Sequence, residues 1–317
     1  MVIDRHNVSD LLGIWGKILL SNWLSLKMGY KNVNYTANGV CMSAIILLVS
    51  TMSLANATEN SSLINPPGAT WTLHPHYEIG TLAPITHRIQ FGQDGTEFDF
   101  IADGGQDNLF QFQRFEMWFQ KNGQHHLGFL LQPCDLRTTS EIYKDTQFDN
   151  IVFPKDTPMQ FRYGFDYYRA TYMYDWREST NEQLSLGVAL QIRNATLDFR
   201  SLNGELQNTN RDIGPVPLLA VAGKFERENN QWWGFDAAGA YAPIKYINGS
   251  ESDVVGAILD ASVRGGIHLQ QGADAFVNLR YIGGGAEGTD STPDRGKDGY
   301  VLNWLNFVTL SVGFELQ

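Results

Sequence analysis

The chain from Met159 to Phe199 alternates apolar and polar residues over two long arms. A period of two is that of a β-strand with one apolar and one polar face. In the first arm the alternation runs from Met159 to Phe165 and resumes one residue out of phase from Tyr168 to Trp176. This change of phase predicts a β-bulge near Asp166–Tyr167. The second arm, Gln183–Phe199, completes a hairpin that is longer than soluble strands usually form.

The same alternation occurs along the rest of the chain and predicts about ten long strands. They are Trp71–Leu82, Leu109–Gln120, Gln124–Pro133, Met159–Arg177, Gln183–Phe199, Val216–Glu226, Gln231–Ala242, Asp253–Gln270, Ala273–Gly285 and Leu302–Leu316. No helical period of any length separates them.

The connections between these strands alternate strictly between short and long. Lys121–Gly123, Glu178–Glu182, Arg227–Asn230 and Gln271–Gly272 are tight turns, whereas the connections between them are longer, polar and rich in Gly, Asp, Asn and Ser. Short turns on one side and long loops on the other are typical of outer-membrane barrels. The sequence therefore predicts an all-β, antiparallel up-and-down transmembrane barrel, with short periplasmic turns and long extracellular loops.

The strand faces predict a polar lumen. In the predicted strand around Asp260, the residues Leu259, Ala261 and Val263 share one face and Asp260 and Arg264 the other. Charged residues in the middle of a strand are costly in a dry core unless they are paired. We therefore predict a lumen charge cluster with the following members: Arg162, Arg193, Asp236, Asp260, Arg264 and Arg280. A salt-bridged plug is favoured over a narrow ion-selective pore, because barrels of eight to ten strands leave little free bore.

Aromatic residues gather near the predicted strand ends. Tyr and Trp are enriched where a membrane meets water, since the ring prefers hydrocarbon and its polar tip prefers water. We predict an aromatic girdle, against the alternative of ordinary core packing, with these members: Trp71, Tyr172, Tyr174, Trp176, Trp232, Trp233, Tyr241 and Trp304.

The N-terminal region has the features of a secretory signal. An apolar segment from Ser43 to Ser53 is followed by Leu54-Ala55-Asn56-Ala57, which predicts cleavage after Ala57. About forty residues precede this segment, so a translation start at Met28 or Met42 is favoured over an N-terminal anchor helix at residues 11–26. We expect residues 1–57 to be an extension and signal peptide, 58–70 a flexible leader and 71–317 the barrel.

Composition narrows the function classes. The 317 residues carry 23 Lys+Arg against 34 Asp+Glu, a formal charge of -11, which argues against nucleic-acid binding. The mean hydropathy is -0.24, and such averages miss barrels because only alternate residues face lipid. The two cysteines, Cys41 and Cys134, provide no disulfide framework once the signal segment is removed.

Five segments together resemble bacterial outer-membrane β-barrel proteins, and specifically a poorly characterised group of small barrels that bear a signal peptide. They are Thr86–Phe100, Phe161–Trp176, Leu186–Leu197, Gly214–Phe225 and Phe307–Gln317. The resemblance implies an outer-membrane location in a Gram-negative bacterium, contact with outer-membrane lipid and lipopolysaccharide, and insertion by the barrel-assembly machinery. It implies no cofactor and no catalytic residues.

Candidate chemistry is sparse. His87, with Asp94, Asp99 and Asp103 in the first long loop and Asp145, Asp149 and Asp156 in the second, would suit a lipid-modifying enzyme or protease at the rim. No nucleophile elbow, HExxH or phosphate-binding motif accompanies them, so a structural or interaction role is favoured over an enzyme. His74 with His76, and His125 with His126, are expected to be structural or solvated.

Two further hypotheses remain open at this level. The acidic residues of the first loop could bind divalent cations that bridge lipopolysaccharide. A soluble periplasmic barrel with a small ligand in its polar lumen is the third reading of the fold.

Overall fold

The protein is described by a computed structural model that covers residues 65, 68–121, 123–243, 253–269, 272–291 and 298–316. The predicted signal segment and most of the predicted leader lie outside these residues. Among the described residues, no helix is long and apolar enough to cross a membrane.

Ten antiparallel columns of strand close into a barrel, which confirms the predicted fold. The strands are β1 (Trp71–Phe91), β2 (Phe98–Asp99), β3 (Phe110–Lys121), β4 (His125–Gln132), β5 (Asp135–Glu141), β6 (Thr146–Phe148), β7 (Ile151–Phe153), β8 (Pro158–Glu178), β9 (Glu182–Ser201), β10 (Gln207–Glu226), β11 (Gln231–Pro243), β12 (Val255–Leu269), β13 (Ala273–Thr289) and β14 (Tyr300–Leu316). Neighbours in the wall follow chain order, and β14 pairs with β1 to close it. β4 and β5 occupy one column against β8, while β6 and β7 form a separate hairpin.

The strands are strongly tilted. Following directly paired residues around the wall from Trp71, the path returns to β1 at Ala83, twelve residues further along. Such a stagger corresponds to a tilt of roughly 40° for ten strands.

Several strands are longer than the sequence predicts. β1 continues to Phe91 and β10 begins at Gln207, so both extend into segments expected to be loops. The predicted bulge near Asp166–Tyr167 is wrong, because the pairing of β8 with β9 runs through both residues without a shift. The register shift on β8 lies between Asp175 and Arg177 instead.

The change of phase on β8 has another cause. Odd-numbered residues face inward from Met159 to Asp175, including Phe161 and Tyr167 on the loop side and Arg169 and Asp175 on the turn side. The inner face is therefore aromatic on the loop side and polar on the turn side. The outer face changes in the opposite sense. It is polar on the loop side and aromatic on the turn side, where it carries Tyr168, Tyr172, Tyr174 and Trp176.

The loop-side half of the barrel holds the hydrophobic core. Phe98, Phe148 and Phe153 come from the first two long loops, and each is fully buried against the inner faces of β8 and β9. The Phe148 and Phe199 rings stack with centroids 4.0 Å apart, and those of Phe98 and Phe161 are 5.1 Å apart. We call the two loops and this core the cap.

Candidate functional site

Ionic side chains fill the barrel below the cap. They come from inward-facing positions of six strands that lie around the whole circumference. We call them the lumen network, and its members are Glu78, Arg114, Glu116, Arg169, Asp236, Asp260, Arg264 and Arg280. Each occupies the polar position of a period-two alternation whose other face is apolar and turned outward.

Asp260 is the centre of the network. Its carboxylate forms ion pairs with three arginines: Arg280 Nη1 at 2.5 Å, Arg169 Nη1 at 2.9 Å and Arg114 Nη1 at 3.2 Å. These arginines belong to β13, β8 and β3, so a single carboxylate connects distant parts of the wall. Burial strengthens these attractions but also removes four ions from water, so the arrangement depends on close contacts and on further hydrogen bonds to its members.

Arg280 is completely buried and has two further carboxylate partners. Its Nη1 lies 2.9 Å from Asp236 Oδ2, and its Nη2 lies 3.6 Å from Glu78 Oε1. Glu78 also accepts hydrogen bonds from Asn278 at 3.0 Å and Ser311 at 2.6 Å. The network therefore continues through β13 and β14 to β1.

The formal charges of the lumen network cancel. The network contains four arginines and four carboxylates. Glu116 Oε1 lies 2.5 Å from Arg114 Nε, whereas Arg264 lies over the Trp232 ring, 5.9 Å from its centre. An unpaired charge at this depth would be expensive, whereas a balanced set can be retained.

Little space remains between these side chains. A cavity of about 80 Å³ lies among Arg114, Glu116, Arg169, Asp236 and Arg264. At roughly 30 Å³ per water, this is the volume of a few water molecules.

The cap closes the loop side by backbone hydrogen bonds between loops. Thr96 N–H donates to Gln147 O at 2.9 Å, and Asp149 N–H donates to Phe91 O at 3.1 Å. The Asn208 amide donates to Phe148 O at 3.1 Å and connects the hairpin to β10.

The structure brings together part of the predicted lumen cluster. Asp236, Asp260, Arg264 and Arg280 belong to the lumen network. Arg193 faces inward on β9 but lies closer to the loop side, near Tyr163.

Arg162 was predicted in the lumen and lies on the outer face instead. Its Nε donates to Asp135 Oδ1 at 2.9 Å, and the side chain is 41% exposed. At this height the apolar face of β8 packs into the cap, so the polar face turns outward.

Sequence reasoning missed half of the lumen network: Glu78, Arg114, Glu116 and Arg169. Arg114 and Glu116 alternate with Phe115 and Met117 on β3, which is the signal that could have identified them.

The predicted girdle residues divide between the two faces. Seven lie on the outer face: Trp71, Tyr172, Tyr174, Trp176, Trp233, Tyr241 and Trp304. Trp232 is a correction, because its side chain faces inward, is 3% exposed and packs against Phe276 with ring centroids 6.0 Å apart. Its neighbour Trp233 faces outward and stacks on Phe225 at 4.3 Å. Consecutive strand residues point to opposite faces, so only one of the two can meet lipid.

His87 is not arranged as a catalytic base. It is fully buried between Phe100, at a 3.8 Å ring separation, and Tyr163, at 4.5 Å. Its Nδ1 is 3.0 Å from the amide oxygen of Gln106, where a catalytic pair would place a carboxylate. Burial lowers the pKa of His87 to about 3 although the Gln106 hydrogen bond acts in the opposite direction.

The turn-side histidines bind carboxylates individually. His126 Nε2 lies 2.7 Å from Asp175, and His268 lies 2.6 Å from both Glu226 and Asp274. Within the described ranges, no three His, Cys, Asp or Glu side chains form a group that could hold a metal ion.

Comparison with known families gives no match, and comparison of the sequence with characterised proteins gives none either. Similar solved structures are outer-membrane barrels. The outer membrane protease OmpT of Escherichia coli is 12% identical, with 79% of this chain and 99% of that chain covered and a TM-score of 0.46.

Two other solved structures resemble this chain less closely in shape. The transport unit of the autotransporter AIDA-I of Escherichia coli is 8% identical, covering 85% of this chain and 97% of that chain, with a TM-score of 0.39. The attachment invasion locus protein Ail of Yersinia pestis is 11% identical, covering 77% and 99%, with a TM-score of 0.29. At these values the likeness concerns the barrel fold alone.

Proposed function

We propose that this protein is a sealed barrel of the bacterial outer membrane, with a structural or interaction role rather than that of a pore. The observation that carries the proposal is the lumen network, which is charge-balanced and crosses the barrel through Asp260. The cap adds a second, apolar closure on the loop side. An ion would have to break several buried charge-assisted hydrogen bonds and then pass a phenylalanine core.

The outer surface supports the membrane location. Leu186, Val188 and Leu190 on β9, and Leu259 and Val263 on β12, are large apolar side chains exposed on the outside of the wall. Exposed apolar surface of this extent is unfavourable in water and is the expected lining of a lipid-facing wall. A soluble periplasmic barrel would instead place polar residues at these positions.

The same proposal includes the partners expected from the sequence. The wall would contact outer-membrane lipid, the loop side would face lipopolysaccharide, and insertion would use the barrel-assembly machinery. Signal-peptide cleavage after Ala57 would precede insertion.

Planar-bilayer recording tests the sealed lumen. The chain refolded in lipid is expected to show heat-modifiable migration, which reports the folded barrel, and no unitary conductance steps. A variant that combines Arg114→Ala and Arg169→Ala in the network with Phe148→Ala in the cap removes large side chains from both closures and should introduce leak. Stable steps from the folded wild-type chain would contradict the proposal.

A further inference from the structure

The barrel wall is incomplete between β10 and β11. Their ladder begins at the Glu226–Trp232 pair and ends at Leu219–Gly239. Beyond this point, among the residues that the structure describes, the rest of β10 pairs with β9 alone and β11 pairs with β12 alone up to Pro243. We call this unpaired boundary on the loop side of Leu219–Gly239 the seam.

Proline explains why the ladder stops. Arg227 N–H donates to Gln231 O at 2.8 Å in the β10–β11 turn, so odd-numbered residues of the two strands direct their N–H groups at each other. In the same register the next such pairs would be Pro217–Tyr241 and Pro215–Pro243. Three of the four N–H donors needed for these pairs are absent, because proline has none.

The phase of the neighbouring ladder agrees with this assignment. Glu226 N–H donates to Asn181 O at 2.8 Å, which directs the even-numbered residues of β10 toward β9. The prolines of β10 therefore leave the β9–β10 ladder intact and remove N–H donors only from the edge that faces β11.

A groove lies along the wall beside the end of the ladder. Its volume is about 650 Å³, within the roughly 300–1,000 Å³ range of small-molecule sites. Outward-facing Leu219 and Tyr241 line it together with inward-facing Leu218 and Ala240. Inward-facing Thr171 and Ala189 line it from the paired β8–β9 part of the wall.

The surroundings of the groove are apolar on both sides. Behind it, Leu218 packs with Met173, Ala189, Ala220 and Ala238 in a small buried cluster. In front of it are the two most exposed large apolar side chains of the described residues, Tyr241 at 76% and Leu219 at 75%.

We infer that the seam is a binding site for one acyl chain of a lipid in the surrounding bilayer. An added β-strand from a second protein would need N–H donors on the open edge, and three of the four donors nearest the end of the ladder are absent. A hydrocarbon chain needs none, and the lining offers it apolar contact. The unpaired carbonyls lie toward the loop side, where headgroups and water can donate to them.

The probe is phosphatidylcholine with a photoreactive diazirine in one acyl chain, in nanodiscs that contain the folded chain. Adducts located by mass spectrometry are expected on inward-facing Leu218 and Ala240 as well as on outward-facing Leu219. Inward-facing Ser262, in a fully paired part of the wall, should carry none. Adducts confined to outward-facing residues would overturn the inference.

Two sets of variants test the mechanism. Ala170→Trp fills the groove from outside and should lower adducts at Leu218 by about an order of magnitude. Ala261→Trp places the same ring on the outer face of an intact wall and should leave the adducts at Leu218 unchanged.

The triple variant Pro215→Thr, Pro217→Thr and Pro243→Thr restores the N–H donors, so the ladder should extend. The Tyr241 amide should then become protected from hydrogen exchange, and the adducts on inward-facing residues should disappear. Undiminished inner adducts in both Ala170→Trp and the triple variant would also overturn the inference.

Discussion

Arg280 donates a hydrogen bond to Asp260 inside the barrel, with 2.5 Å between Nη1 and Oδ1 and neither side chain more than 1% exposed. The pair joins adjacent strands β12 and β13, yet it also fixes the position of a carboxylate that two arginines reach from the other side of the lumen. The stability of the wall therefore depends on contacts across its interior as well as on the ladders.

Asp260→Asn should destabilise the barrel strongly. The substitution leaves Arg114, Arg169 and Arg280 with one carboxylate fewer in a buried site, and such losses typically cost about 3–5 kcal/mol. Urea unfolding of the protein in lipid vesicles measures the change in the free energy of unfolding.

Asp135→Asn is the matched control for that substitution. Asp135 also contacts two arginines, Arg137 and Arg162, but these pairs are largely exposed and should contribute about 0–1 kcal/mol. Equal losses in the two variants would show that the buried network carries no special stability.

Phe148→Ala should loosen the cap without unfolding the wall. Phe148 is fully buried and stacks on Phe199, so its removal leaves a cavity at an expected local cost of about 3–5 kcal/mol. The measurement is the rate of proteolysis within residues 142–157, with heat-modifiable migration as the test that the barrel persists. Val152→Ala, on the exposed side of the same hairpin, should leave the rate nearly unchanged.

His87 should make the cap sensitive to acid. With a folded-state pKa of about 3 against an ordinary value of 6.5, the unfolded segment binds a proton that the folded cap does not. Its contribution to stability is complete above pH 6.5 and falls by about 1.4 kcal/mol for each unit of pH below it.

His87→Phe should reduce this acid sensitivity, because phenylalanine can stack on Phe100 and has no proton to bind. Proteolysis of the cap at pH 7 and pH 4.5 compares the two proteins. The prediction fails if both proteins lose protection equally over this range.

Tyr167 and Tyr168 should report opposite environments. Tyr167 faces the protein interior and Tyr168 the outside, so a nitroxide on Tyr168→Cys should collide with oxygen dissolved in lipid far more often than one on Tyr167→Cys. Both variants require a background in which Cys41 and Cys134 are alanine. A bulge between the two residues would make both labels accessible to lipid.

The strand order of the barrel was predictable because period-two alternation and alternating connection lengths depend only on local sequence. The interior of β8 was not. Phe161 and Tyr168 are both aromatic, but Phe161 is buried by the cap and Tyr168 faces outward. Alternation shows that two faces differ, and it does not show which of them is covered by protein.

The misplacement of Arg162 has the same origin. It occupies the polar face of β8, and a polar face was equated with the lumen along the whole strand. Above the lipid-facing belt that relation reverses, because loop residues distant in sequence fill the barrel. Contacts such as Arg169 with Asp260 depend on the register of several ladders and could not be derived from one strand.

The exchange of faces along β8 has a consequence for how its pairing is chosen during assembly. A slip by one residue would carry Arg169 and Asp175 into hydrocarbon and, in the same movement, Phe161 and Phe165 into water. The same one-residue slip is therefore unfavourable both in the hydrocarbon and in the water that surround β8. The register of this long strand is therefore specified at both of its ends.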